Sequence, residues 1–291
     1  MKNIEELFNQ YDFNFTDESV KNSVKEILAK NFEANNTKEV YRKCLSLIDL
    51  TSLNATDTEE KIEKMMTKVN DFPQHFDTQN VPAVCVYPAL VPIARKTLTG
   101  NTRIAAVSAC FPSSQTFIEA KIAEVALTAL AGADEIDVVI SLGKFLSGNY
   151  IEVLDELEEI KAACRNAHLK VILESGALPT CADIKKASII AIAAGADFIK
   201  TSTGKSEPAA TLEAAFVMCQ TIKEFHQKNG IKIGFKPAGG VAATKEAVEF
   251  YTVVKEILGE EWLNSNLFRF GASRLANNLL SSIYDKEIKY Y

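Results

Sequence analysis

Eight short apolar runs punctuate the chain: SLIDLTSL (46–53), AVCVYP (83–88), RIAAVSA (103–109), EIDVVIS (135–141), KVILES (170–175), FIKTST (198–203), KIGFKPA (232–238) and FRFGAS (268–273). Between them lie longer stretches in which apolar residues recur every three to four positions, such as QTFIEAKIAEVALTALAGA and AATLEAAFVMCQTIKEFHQK. The short runs fit strands buried on both faces, and the longer ones fit amphipathic helices. Strand then helix, eight times over, predicts a parallel sheet closed into a (β/α)8 barrel. A doubly wound open sheet is the alternative. That fold usually carries a glycine fingerprint after its first strand, and IDLTSLNATDTEE contains no glycine.

Local signals support the register. AGAD occurs at 131–134 and AGADFIK begins at 194; in both the glycine is expected to stop a helix and admit a strand. Thr56 or Asp57 is expected to cap one helix, with Glu59 and Glu60 in its first turn, and Ser113 or Ser114 another. Residues 1–40 are more polar, with Val20, Val24 and Leu28 on one helical face. They read as an N-terminal helical extension that caps the barrel, which itself occupies 41–291.

Composition narrows the class. The chain has 291 residues, is 47% apolar and carries a net charge of −6 with both signs intermixed. The absence of a basic stripe argues against nucleic acid as a partner. No apolar run reaches about 18 residues, and the N-terminus has no secretory core, so a cytoplasmic protein is expected. Cys44, Cys85, Cys110, Cys164, Cys181 and Cys219 form no C-x-x-C pair and read as reduced thiols. His75, His168 and His226 lie far apart, so no metal site is expected.

Active groups in such barrels come from the carboxyl ends of the strands. The polar residues there are Asp49, Cys85, Asp137, Glu174, Lys200 and Lys236. Lysines on two consecutive strands are the unusual feature. Adjacent strands lie roughly 4.8 Å apart, so two inward ammonium groups repel each other, and burial adds to the penalty on their charge. One is then expected to give up its proton and act as a nucleophile toward a carbonyl. Lys200 is placed to form a Schiff base, Lys236 to keep it unprotonated, and Asp137 to move protons. Against this stand ordinary readings: a strand-end lysine often snorkels, and a barrel aspartate is often a salt-bridge partner. Gly239 and Gly240 after the seventh strand, and Gly271 and Ser273 after the eighth, suggest a phosphate cradle at helix N-termini, with Thr203, Gly204 and Lys205 completing it. Simple turn geometry would explain the same glycines.

The motifs LIDLTSLN, VCVYPALVPIARKTL, EIDVVISLGKFLSGNY, FIKTSTGK, GFKPAGGV and FRFGAS together resemble deoxyribose-phosphate aldolase, a class I aldolase, over residues 44–285. The resemblance implies a (β/α)8 barrel that reversibly cleaves 2-deoxy-D-ribose 5-phosphate to acetaldehyde and D-glyceraldehyde 3-phosphate, without a cofactor and commonly as a dimer. It implies Lys200 as the Schiff-base lysine, Lys236 as its perturbing partner and Asp137 as the acid/base. It also implies Asp49 and Cys85 as pocket residues, and Lys205, Gly239, Gly240 and Ser273 as phosphate contacts. Two features depart from the pattern. Arg274 stands where a second serine is common, and the tail before Tyr291 matches nothing in the family, although some relatives end in a tyrosine that reaches the active site.

Overall fold

A computed structural model describes residues 4–291. Three helices come first: α1 (Ile4–Phe8), α2 (Asp17–Asn35) and α3 (Lys38–Leu45). Eight strands follow: β1 (Ile48–Thr51), β2 (Ala83–Val86), β3 (Arg103–Val107), β4 (Glu135–Val139), β5 (His168–Ile172), β6 (Phe198–Lys200), β7 (Gly234–Lys236) and β8 (Phe270–Ala272). Between and after them run α4 (Glu59–His75), α5 (Val91–Thr97), α6 (Ile118–Leu130), α7 (Leu142–Leu146), α8 (Tyr150–Ala163), α9 (Cys181–Ala193), α10 (Leu212–Asn229), α11 (Thr244–Leu258) and α12 (Leu275–Tyr284). Every apolar run read from the sequence holds a strand.

The strands pair in parallel in the order β7-β6-β5-β4-β3-β2-β1-β8. The seam between β7 and β8 is closed by two isolated bridges, Phe235 with Phe268 and Ala238 with Gly271. The result is a (β/α)8 barrel, not an open doubly wound sheet. The strands are short and, being parallel, bring all their carboxyl ends to one rim, where loops assemble a site.

Threonine starts several helices. Thr16, Thr37, Thr58, Thr180 and Thr211 all sit in extended backbone and accept a hydrogen bond from the amide three residues on, satisfying one orphan N–H of the first turn. Thr58 therefore caps α4, not Thr56 or Asp57. Asp57 instead accepts from Ser52, from the Asn54 amide and from Lys61. The Ser113 and Ser114 caps are likewise displaced: α6 begins at Ile118 with no side-chain cap. A turn around the cis Phe111–Pro112 bond fills the intervening residues. The two AGAD joints behave alike, Gly132 at φ +105° and Gly195 at φ +90°, a conformation that ends α6 and α9 and that side chains disfavour.

The extension does not cap the barrel's end. Helix α2 lies against α10 and α11, on the outer helical layer, burying Val20 and Val24. Asn35 at its end donates to Thr252 of α11. All six cysteines are free and, except for Cys110, buried. Among the described residues, no helix is long and apolar enough to cross a membrane.

Candidate active site

Inside the barrel the alternation of strand residues puts charge where a core would normally be apolar. Lys200 and Lys236 are register partners on β6 and β7 and both point inward. They do not face each other across empty space. One carboxylate oxygen, Oδ2 of Asp137 on β4, accepts from both, at 2.8 Å from Lys200 Nζ and 2.9 Å from Lys236 Nζ. Lys236 also donates to Oδ2 of Asp49 on β1. Gly271 on β8 makes room for this: a Cβ there would lie 3.0 Å from Lys236 Cε and 2.7 Å from Ala238 Cβ.

The charges continue beneath. Arg269, just before β8, is fully buried and forks between Asp49 Oδ1, through Nη1, and Glu135 Oε1, through Nη2. Glu135 Oε2 accepts from Lys170 of β5. Lys170 Nζ in turn lies 3.5 Å from both Asp49 and Asp137. The six groups form a closed ring of alternating sign: Asp137, Lys236, Asp49, Arg269, Glu135, Lys170. Lys200 attaches to that ring at Asp137 alone.

This arrangement revises how the lysines influence each other. Mutual repulsion was expected to make one of them, Lys200, give up its proton. Burial does oppose the charge on Lys236, but Asp137 and Asp49 outweigh it and hold its pKa well above the usual lysine value. Lys236 is thus a fixed cation. Burial likewise opposes ionisation of Asp137, and Lys200, Lys236 and Lys170 overcome it, holding that carboxyl well below its usual range. Asp49 and Glu135 are depressed in the same way, against burial, by Lys236 and Arg269 and by Lys170 and Arg269 respectively. The stability these carboxylates confer is present above about pH 4, where they would ionise even in the unfolded chain. It is lost as pH falls toward their lower native values. Thermal melts should therefore drop steeply below about pH 4, and an unchanged melting temperature from pH 7 to pH 2 would contradict the ring.

Above the ring, Lys200 opens into a cavity of about 230 Å³ at the carboxyl rim. Thr203, Gly204, Lys205, Gly239, Gly240 and Ser273 also line it, as the sequence suggested. Gly204 at φ +74° and Gly239 at φ +81° bring the loops after β6 and β7 back to back; a Cβ on Gly239 would fall 3.0 Å from Gly204 Cα and 2.8 Å from Ala209 Cβ. Glu174, at the end of β5, fixes the first of these loops by accepting from the Thr203 amide at 3.0 Å and from its hydroxyl at 2.5 Å. Lys205 reaches over to the Leu53 carbonyl. Ser273 and Arg274 precede α12 on the opposite wall.

Two expected pocket residues lie elsewhere. Asp49 is below the cavity floor, in the ring. Cys85 is enclosed by Leu53, Ala105 and Val107, and burial pushes its thiol up to about 11, consistent with an inert core thiol. The chain end is not frayed. Tyr291 stacks on Phe72 with centroids 6.0 Å apart and donates to Asn80 at 2.6 Å, while Tyr290 donates to the Lys68 carbonyl. Tyr291 lines a neighbouring cavity of about 500 Å³ with Lys61, Lys64 and Lys68, next to the one that holds Lys200. Arg274 lines both.

Sequence reasoning missed Lys170, Glu135 and Arg269 as members of the site. A signal existed: each is a charge in an otherwise apolar alternation, and Glu135 and Asp137 are two apart on one strand, hence on one face.

Comparisons agree with the geometry. The family model for DeoC/LacD family aldolases matches residues 43–261. A putative deoxyribose-phosphate aldolase of Caenorhabditis elegans is 43% identical over 259 residues, 88% of this chain and 84% of that one. The deoxyribose-phosphate aldolase of Homo sapiens is 42% identical over 255 residues, 83% of this chain and 80% of the relative. In fold, a crystal structure of a putative deoxyribose-phosphate aldolase from Toxoplasma gondii superposes with a TM-score of 0.76 at 22% identity, covering 87% of this chain and 96% of the other. A barrel whose paired strand-end lysines share an aspartate, matched along most of its length to aldolases, belongs to the DeoC/LacD aldolase family.

Proposed function

We propose that the chain is a class I aldolase that reversibly cleaves 2-deoxy-D-ribose 5-phosphate to acetaldehyde and D-glyceraldehyde 3-phosphate through a Schiff base on Lys200. One observation carries the reading. The buried ring balances three carboxylates against three cations, and Lys200 is the surplus cation, bound at a single point and the member that opens to the cavity. A buried surplus charge is costly, so Lys200 is the member of the cluster whose loss to covalent chemistry the ring best tolerates. Its neutral amine is a nucleophile toward an aldehyde.

The chemistry follows from the positions. The Lys200 amine adds to C1 of the open-chain sugar, and the carbinolamine loses water to give an iminium. The C3 hydroxyl gives up its proton, the C2–C3 bond breaks, and its electron pair flows into the iminium, leaving an enamine and D-glyceraldehyde 3-phosphate. Protonation of the enamine carbon restores the iminium, and water releases acetaldehyde and the amine. Asp137 is held so low that it carries a proton only in transit. It orients the amine and relays, while Lys236 keeps it ionised. The glycine-lined rim formed by Gly204, Gly239 and Gly240 offers backbone N–H groups to the phosphate, beside Lys205 and Ser273.

Borohydride reduction in the presence of 2-deoxy-D-ribose 5-phosphate tests this. Mass spectrometry should find a two-carbon or five-carbon adduct on Lys200. No adduct with this sugar, but one with a different ketose or aldose phosphate, would transfer the same chemistry to another substrate.

Arg274 bears on the same cradle. It lines the cavity beside Ser273, and no ion pair among the described residues holds its guanidinium. Arg274→Ala should raise KM for the phosphorylated sugar by roughly 5–10-fold with little change in kcat, since an interaction with a remote phosphate is made equally in the ground and transition states. With unphosphorylated 2-deoxyribose the variant should match the wild type. An equal effect on both sugars would take Arg274 out of phosphate binding.

A further inference from the structure

One fully buried cation of the barrel does not line the substrate cavity. Arg269 is fully buried, the largest side chain in the molecule to be so. Its backbone N–H donates to Phe235 at the bridged β7–β8 seam, at 3.1 Å. Its Nε donates to the Ser265 carbonyl, and its two terminal nitrogens go to Asp49 on β1 and Glu135 on β4. One planar group thus ties the seam to the opposite side of the barrel.

We propose that Arg269, braced by Glu135, is a positioning residue for the reaction: it clamps one oxygen of Asp49 so that the other fixes the Lys236 ammonium, and thereby sets the Lys200–Asp137–Lys236 geometry from beneath. This rests on the reading of Lys200 as the reacting amine. A guanidinium is required because its fork addresses two carboxylates at once, whereas an ammonium is a point donor. The clamp also keeps the ring neutral. Asp49 and Glu135 would otherwise carry two charges against Lys170 and Lys236, which must already serve Asp137, and Lys200 would be kept charged to compensate.

The groups that face this assembly come from β1 to β7. They are Asp49 from β1, the neutral Cys85 thiol from β2, and Arg103 from β3, 3.2 Å from Glu135. Glu135 and Asp137 follow from β4, Lys170 from β5, Lys200 from β6 and Lys236 from β7. Arg103 sits at the partly exposed edge, where it also donates to Asn266. It can support Glu135 but does not reach Asp49 in the structure.

The test is a set of variants assayed as pH–rate profiles, with borohydride trapping alongside. Arg269→Met removes one ring cation. Its kcat should fall about 10- to 100-fold at neutral pH, the scale of a small misplacement of catalytic groups, and recover in part as pH rises. Adding Glu135→Gln removes the matching carboxylate, restores the charge balance and should return the profile toward that of the wild type. A folded Arg269→Met enzyme with wild-type kcat and profile would overturn the proposal, as would a double variant whose profile does not move back from that of the single one. Should Arg269→Met fail to fold, Arg269→Lys decides. Loss of kcat with unchanged KM and an unshifted profile supports positioning through the fork, and wild-type kcat refutes it. If the wild-type enzyme itself yields no adduct on Lys200, the Schiff-base reading fails first, whatever the Arg269 variants do.

Discussion

Lys200→Met is expected to abolish cleavage, by roughly 10⁴-fold or more, the scale seen when a covalent nucleophile is removed, and to leave the protein at least as stable as before. The second half of that outcome is the informative one. Lys200 is only 3% exposed and pairs with a carboxylate, so a purely structural lysine at this place would cost stability when lost. Here it is the odd cation on a balanced ring. Asp137 keeps Lys236 and Lys170 after the change, and a methionine of similar volume fills the space. Activity and stability should therefore move apart, as they do where a site holds charge for function at the expense of the fold. The measurements are turnover, borohydride trapping and a thermal melt on one preparation. A variant that loses both turnover and its cooperative melt would identify Lys200 as a structural residue.

Lys236→Met should cost nearly as much activity by a different route. Removing this cation leaves Asp49, Glu135 and Asp137 against Lys170, Arg269 and Lys200, a count that balances with Lys200 charged. Turnover should fall by about 10³-fold at pH 7, and the rising limb of the pH–rate profile should move to higher pH by about one to two units, the usual effect of losing a nearby like charge. Lys236→Arg tests the sign: it keeps the charge, so its profile should stay in place even if its rate falls. An unshifted profile in Lys236→Met would mean that Lys236 acts on the substrate and not through the charge of its neighbour.

The eight strands were legible because each is buried on both faces, and such a strand must be written as a short apolar run whatever surrounds it. The joints at Gly132 and Gly195 were legible for a similar local reason, since only a left-handed residue ends a helix that way. Helix starts were placed early, at Thr56 or Asp57 where Thr58 is the cap, and at Ser113 or Ser114 where the helix begins at Ile118. Several hydroxyls and carboxylates lie in those loops, and only the path of the loop decides which one meets an amide. The packing of the aromatic chain end was not legible because its partners, Phe72 and Asn80, are some two hundred residues away.

By itself the sequence determined that this chain alternates strand and helix, that inward lysines stand at the ends of the sixth and seventh strands, and that glycines and small donors gather on the same rim. Each of these follows from period and order along one segment. Only the tertiary structure decided that a carboxylate stands between the two lysines, that Lys236 is the fixed cation, and that Asp49 belongs with Arg269, Glu135 and Lys170 beneath the cavity. Charge state is a property of neighbours in space. Here those neighbours come from six different strand segments, so no spacing along the chain could have carried it.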